Sequence, residues 1–385
     1  MSAVMNAKPR TMWITALGAL LLLWSLWALR QQSQATVEAI VDFHKDTAPV
    51  KATPTPPSTP PSAPAPAPEL ASASAQDPEK ASGVATPVAN PPAVTITAER
   101  KNQVETDRPL ILYAYFETEN SRKNFEFFIR HGLHAGADFL FILNGENKAE
   151  DILPKEPNIK YIKRANDCYD LGAFAEVLLK DDLYKRYKRY ITLNASIRGP
   201  FLPYWSTGCW SDMYLDRITD TVKLMGMTFN CKPANHVQSM IWATDRVGLE
   251  ILLFPTEEQT NATRASLPPL PDGEPVPPMD IAGINSCPHE YWRAVAVEVY
   301  STPLIKAAGY DVDTMMTAFH MSKHYQEECR EYKDALYENS YFGTNLHPYD
   351  TVFAKANRGT NALTLERLTE WMGGRNYTSY DYCPS

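Results

Sequence analysis

The first hundred residues contain no cysteine, and aromatic residues all but vanish between Gln31 and Glu105. A stretch that poor in large apolar side chains cannot bury enough surface to offset the entropy of ordering its backbone, so no folded domain is expected there. The formal charge of -8 argues against a nucleic-acid partner. It has no GxSxG elbow, no P-loop, no HExxH and no GxGxxG, so the common hydrolase, NTPase, zinc-protease and dinucleotide signatures are missing. There is no CxxC pair and no internal repeat.

What the sequence has is ordered along its length. Residues 1–11 are short and carry Lys8 and Arg10; residues 12–29 (MWITALGALLLLWSLWAL) form an uncharged apolar run. As a helix that run spans about 27 Å, enough for a thin bilayer. The upstream cations place the N-terminus in the cytosol and the remainder in a lumen, and Leu29-Arg30-Gln31-Gln32 is a poor cleavage site for a signal peptide. Residues 30–106 are rich in Pro, Ala, Ser and Thr and read as an extended stem. Residues 107–385 hold the folded domain and all six cysteines, Cys168, Cys209, Cys231, Cys287, Cys329 and Cys383, which read either as one to three disulfides or as mostly buried free thiols.

Within that domain, continuous apolar runs alternate with helical patterns. Residues 109–116 and 139–143 read as buried strands, with helix-capping candidates at 117–121 between them, and a third strand is expected at 159–162. A helix that Asp170 would cap follows, then a strand at 190–193, one continuous strand over 222–229, and a helix from Asp245 to Leu253. Residues 261–280 read as a surface loop, residues 291–300 and 302–308 as two helical segments, and residues 363–372 as an amphipathic helix. The rhythm indicates an α/β fold with a mostly parallel sheet covered on both faces. In such a sheet the polar residues that follow parallel strands collect at one edge, where ligands bind. Here those are Asn166, Asp170, Asn194, Ser196 and Arg198.

Amides, carboxylates and hydroxyls in that set suit a ligand rich in hydroxyl groups. Against this, Asp170 reads equally as a helix cap, and Asn194 and Ser196 as turn formers. A late constellation, His347, Lys355 and Arg358, can neutralise a diphosphate, or can be a turn with a solvated face. His236, Asp245 and Glu250 are candidates for a base that deprotonates an acceptor hydroxyl, and a lone histidine after a strand reads also as a structural residue. Sequons at Asn194, Asn261 and Asn376 offer glycosylation sites; the second and third are expected to be used, the first to be blocked by its place in the cleft.

The order of cytosolic tail, single span, proline-rich stem and α/β domain resembles a type II Golgi glycosyltransferase. Within the domain, RANDCYDLGAF, with Gly172 in it, together with LNASIRGPF and the later HPYDTVFAKANR, resembles the rhamnan-synthesis F type and related eukaryotic glycosyltransferase-like proteins. The resemblance covers mainly Leu110 to Leu253. It implies a GT-A-like fold, a nucleotide-sugar donor and a glycan or glycoprotein acceptor. It also implies donor-binding roles for Asn166, Asp170, Gly172, Asn194, Ser196, Arg198, His347, Lys355 and Arg358. The alternatives are a lumenal carbohydrate-binding protein without catalysis and a membrane-anchored hydrolase. Many GT-A enzymes hold Mn²⁺ or Mg²⁺ with Asp-x-Asp after the central strand, where this chain reads Asn194-Ala195-Ser196. Metal dependence is therefore open.

Overall fold

The computed structural model describes residues 106–267, 282–329, 334–375 and 378–383. The tail, apolar run and stem read from the sequence, and the Asn376 sequon, lie outside the described residues. Among those residues no helix is long and apolar enough to cross a membrane.

The centre is a seven-stranded sheet. β1 (Leu110–Phe116) is flanked by β2 (Asp138–Asn144) and β4 (Arg189–Asn194), with β3 (Ile159–Arg164) at one border and β9 (Ile241–Asp245), β6 (Val222–Gly226) and β10 (Asp311–Thr314) on the other side. All neighbours run parallel except β9, which is antiparallel to both β4 and β6. The expected mostly parallel α/β sheet is thus observed. β1 is buried from Leu110 to Tyr115, as its unbroken apolar run requires. Its side chains alternate between two cores: Ile111, Tyr113 and Tyr115 on one face, Leu110, Leu112 and Ala114 on the other.

Helix α1 (Glu119–His131) packs on the first face through Phe125 and Phe128; its start is fixed by Thr118, which forms a capping box with Ser121. On the second face lie α2 (Tyr169–Leu179), α4 (Arg246–Leu253) and α6 (Tyr291–Ala307), with α3 (Trp210–Leu215) on the first. α5 (Glu257–Ser266) occupies the beginning of what the sequence reads as a surface loop. Thr256 and Gln259 form a capping box there, and that local signal starts a helix before the Pro- and Gly-rich part is reached. α6 is one helix where the sequence suggests two. It continues through Pro303 because Val297, Tyr300, Leu304 and Ile305 bury one continuous face, which outweighs the lost backbone hydrogen bond.

The strand expected over 222–229 stops at Gly226, and β7 (Phe229–Asn230) pairs instead with β8 (His236–Val237) in a separate ribbon. Gly226 permits this: a Cβ there would stand 2.2 Å from Val237 Cγ1, so only glycine lets the ribbon fold back so closely. A second ribbon pairs β5 (Ile197–Arg198) antiparallel with β11 (Ala354–Lys355). The closing helix α7 (Ala362–Gly373) buries Leu365, Leu368 and Met372 on the first face.

All six cysteines are paired, as Cys168–Cys287, Cys209–Cys383 and Cys231–Cys329. Each spans a long stretch of sequence; the first joins the start of α2 to the turn that precedes α6.

Candidate active site at the carboxyl edge of the sheet

The parallel strands end together, so Phe116, Asn144, Arg164 and Asn194 stand along one edge. At that edge Asp170, Asn194, Ser196 and Lys355 join into one hydrogen-bonded chain. Asn194 Nδ2 donates to Asp170 Oδ2 at 2.8 Å. Asn194 Oδ1 accepts from the Ser196 amide at 3.1 Å and from the Ser196 hydroxyl. Ser196 Oγ in turn accepts from Lys355 Nζ at 2.8 Å. The backbone holds the last link in place, since the Ala356 amide donates to the Ser196 carbonyl at 3.0 Å. Three segments far apart in sequence therefore meet at the end of β4.

Asp170 does not cap α2. Cys168 occupies the cap position in a left-handed conformation, with φ 65°, and Tyr169 follows at φ 52°. Two consecutive non-glycine residues at positive φ are costly, and the Cys168–Cys287 bridge is what the surroundings supply to hold them. The consequence is that the Asp170 carboxylate is turned onto Asn194 and away from the helix amides. Gly172 serves the same packing: a Cβ there would lie 2.7 Å from Cys168 Cβ and 3.3 Å from Cys287 Cα. Beside the bridge, His289 Nδ1 is 2.7 Å from Asp167 Oδ1.

The electrostatics of the cluster are unusual. Burial pushes the Asp170 carboxyl up to about 6, against the pull of the Lys355 ammonium and the Asn194 amide, and Glu298 adds to the rise. Burial likewise pulls the Lys355 ammonium down, opposed by Glu298, Asp170 and Asp334. Its apolar surroundings include Leu336, Leu346 and Phe353, which line a small cavity with it. The carboxylates near it are engaged elsewhere: Glu298 Oε1 accepts from the Ser239 amide at 2.6 Å and hydroxyl at 2.8 Å. Asp334 Oδ2 accepts from Gln238 Nε2 at 3.1 Å and stands 3.9 Å from the Arg358 guanidinium.

The other residues singled out from sequence divide. Asn166 is exposed in the turn after β3, beside Gly145 at the same edge. Arg358 stacks its guanidinium 4.5 Å from the Tyr337 ring centroid. His347 accepts the Tyr349 amide at 3.1 Å on Nδ1 and caps a single helical turn; burial lowers its pKa. Arg198 does not join the cluster. In the β5–β11 ribbon it faces Ala354 while Lys355 faces Ile197, so their side chains leave opposite faces. Arg198 binds Asn124 Oδ1 at 2.8 Å and Thr369 Oγ1 at 3.1 Å instead.

Among the described residues none of the three candidate bases is hydrogen-bonded to that chain of side chains, and Glu250 is exposed on α4. His236 is buried, and its Nδ1 bonds back to the Ala234 carbonyl at 2.7 Å within its own segment. Asp245 ends β9, which runs against β4, and it pairs with Arg189 at the start of that strand. It therefore sits at the opposite edge from Asn194. There it caps α4 through Gly248 and binds Lys223 Nζ at 2.6 Å, beside an open polar hollow of about 520 Å³. Reading the chain in order missed Glu298 and Asp334. Glu298 had a signal, a lone carboxylate inside the apolar run AVAVEVY, since such a group is rarely tolerated without a partner.

A divalent metal does not fit the end of β4. Both side-chain oxygens of the Asn194-Ala195-Ser196 turn are neutral and already hydrogen-bonded, and an ammonium stands on Ser196 where a second cation would be repelled. Among the described residues, the two groups of three side chains close enough to share an ion each include both sulfurs of a disulfide, one beside His134 and one beside Asp167. The Asn194 amide is buried within the cluster, whereas Asn261 is exposed on α5.

No protein-family model matches the chain, and no curated protein matches it. Among solved structures the chain is similar to a glycosyltransferase involved in the glycosylation of the major capsid of PBCV-1. The identity is 12% over 68% of this chain and 98% of that one, with a TM-score of 0.32.

Proposed function

We propose that the chain transfers a glycosyl group from a nucleoside-diphosphate sugar to a hydroxyl of a glycan or glycoprotein acceptor. The observation that carries this reading is the hydrogen-bonded chain Asp170–Asn194–Ser196–Lys355, which gathers a carboxyl, an amide, a hydroxyl and a cation at the carboxyl edge of the sheet. Asp170 is the group suited to take the acceptor proton, because a carboxyl displaced towards 6 is a stronger base than an ordinary one. The new bond forms between the acceptor oxygen and the anomeric carbon, the bond from that carbon to the diphosphate oxygen breaks, and the proton passes to Asp170. Asn194 and Ser196 contact the hydroxyl-bearing part of the donor, and Asn166 its outer end.

The same reading places the chain in a membrane of the secretory pathway, Golgi or endoplasmic reticulum, anchored by residues 12–29 with the domain lumenal. Three disulfides support an oxidising compartment. The test is incubation of the purified full-length protein with a panel of nucleotide sugars and glycoprotein acceptors, read by released nucleoside diphosphate. Turnover of one donor that Asp170→Asn abolishes supports the assignment. Glycan binding without any nucleotide turnover points to a carbohydrate-binding protein instead.

A further inference from the structure

The turn after β4 carries an ammonium where many GT-A glycosyltransferases hold a divalent ion. We propose that Lys355 is the resident cation for the diphosphate of the donor, so that donor binding requires no metal; this rests on the glycosyl-transfer reading above. The position is built by the backbone. β11 is paired to β5, and Ala356 is bonded to Ser196, so Lys355 is held over the end of β4 whatever its side chain does. Its ammonium has three donors. Among the described residues one of them is used, on Ser196 Oγ.

The anionic neighbours do not take the other two. Asp170 is bonded to Asn194, Glu298 to Ser239, and Asp334 to Gln238 with Arg358 beside it. Each of those carboxylates has its own donor, while the ammonium is left short of acceptors. A diphosphate oxygen supplies what is missing, in a partly desolvated setting where a charge-assisted hydrogen bond is strong. Arg198, the other cation after β4, leaves the opposite face of the ribbon and cannot substitute.

The experiment is calorimetric titration of the full-length protein in detergent with uridine, guanosine, cytidine and adenosine diphosphates, once in EDTA and once in MnCl₂. The expected result is that one nucleoside diphosphate binds with dissociation constants within about threefold in the two buffers. Lys355→Ala weakens binding by about 30-fold or more, as loss of a charge-assisted hydrogen bond implies, and Lys355→Arg keeps most of it. Should Lys355→Ala fail to fold, Lys355→Met, which keeps the apolar stem, is titrated in its place, and unchanged binding by either folded variant overturns the inference. Binding that appears only with Mn²⁺ overturns the inference and leaves glycosyl transfer standing. Absence of binding in both buffers overturns both.

Discussion

The two edges of the central sheet carry nearly the same chemistry and use it in opposite ways. At the amino edge of β4, Asp245 meets Lys223 at 2.6 Å; its other oxygen caps α4, and Lys223 also donates to the Thr219 carbonyl. There the two charges meet each other directly within the fold. At the carboxyl edge Asp170 has one amide donor and Lys355 one hydroxyl acceptor, and the two charged groups are separated by Asn194 and Ser196. A fold that needed only stability would have joined them directly. The difference teaches that residue type marks neither edge as functional; the incomplete partnering of half-buried charge does.

The largest effect should come from exchanging the roles of the two lysines. Lys355→Ala is expected to weaken donor binding by about 30-fold or more while changing stability by less than about 1 kcal/mol, because one hydrogen bond is lost. Lys223→Ala should leave donor binding intact and cost about 2–3 kcal/mol, since it strands the Asp245 carboxylate. Urea unfolding and nucleotide titration of both variants separate the outcomes, and equal stability losses would erase the contrast.

The two aspartates sharpen the comparison through pH. The Asp170 carboxyl titrates near 6 in the folded chain and near 3.8 when unfolded. The stability it contributes is therefore full below about pH 4 and is lost as pH rises through about 6. Asp170→Asn should stop transfer and yet stabilise the protein at pH 7.5, by at most about 3 kcal/mol, with little change at pH 4. Asp245→Asn should lower stability by removing the ion pair with Lys223, and spare transfer per folded molecule. Thermal melts across that pH range check both, and a pH-independent melt for Asp170→Asn would refute the buried-carboxylate account.

The smallest effect concerns the surface. Asn194, locked in the cluster, is expected to carry no glycan, whereas exposed Asn261 is expected to be modified when the chain is made in secretory cells. Mass spectrometry of glycopeptides reads this directly, and a glycan on Asn194 would contradict the proposed cleft.

Much of the carboxyl edge was legible before any coordinates. The strand, helix, strand pattern around 159–193 and the late lysine segment name the residues that meet, because parallel strands must end on one side. Asp245 misled for a definable reason. A strand followed by a carboxylate looks the same whether it runs with or against its neighbours, and β9 is the one reversed strand of the sheet. Asp170 looked like a cap because its sequence context is that of one; the left-handed turn at Cys168 and Tyr169 depends on a bridge to Cys287, 119 residues away. Glu298 stayed hidden because a helix shows its period and not which neighbour its one polar side chain faces.

The most direct test is a crystal structure of the protein with the nucleoside diphosphate that titration selects. The account predicts the diphosphate within hydrogen-bond distance of Lys355 Nζ, with the sugar-facing end towards Asp170 and Asn194. Density for it in the hollow beside Asp245 and Lys223 would contradict the account.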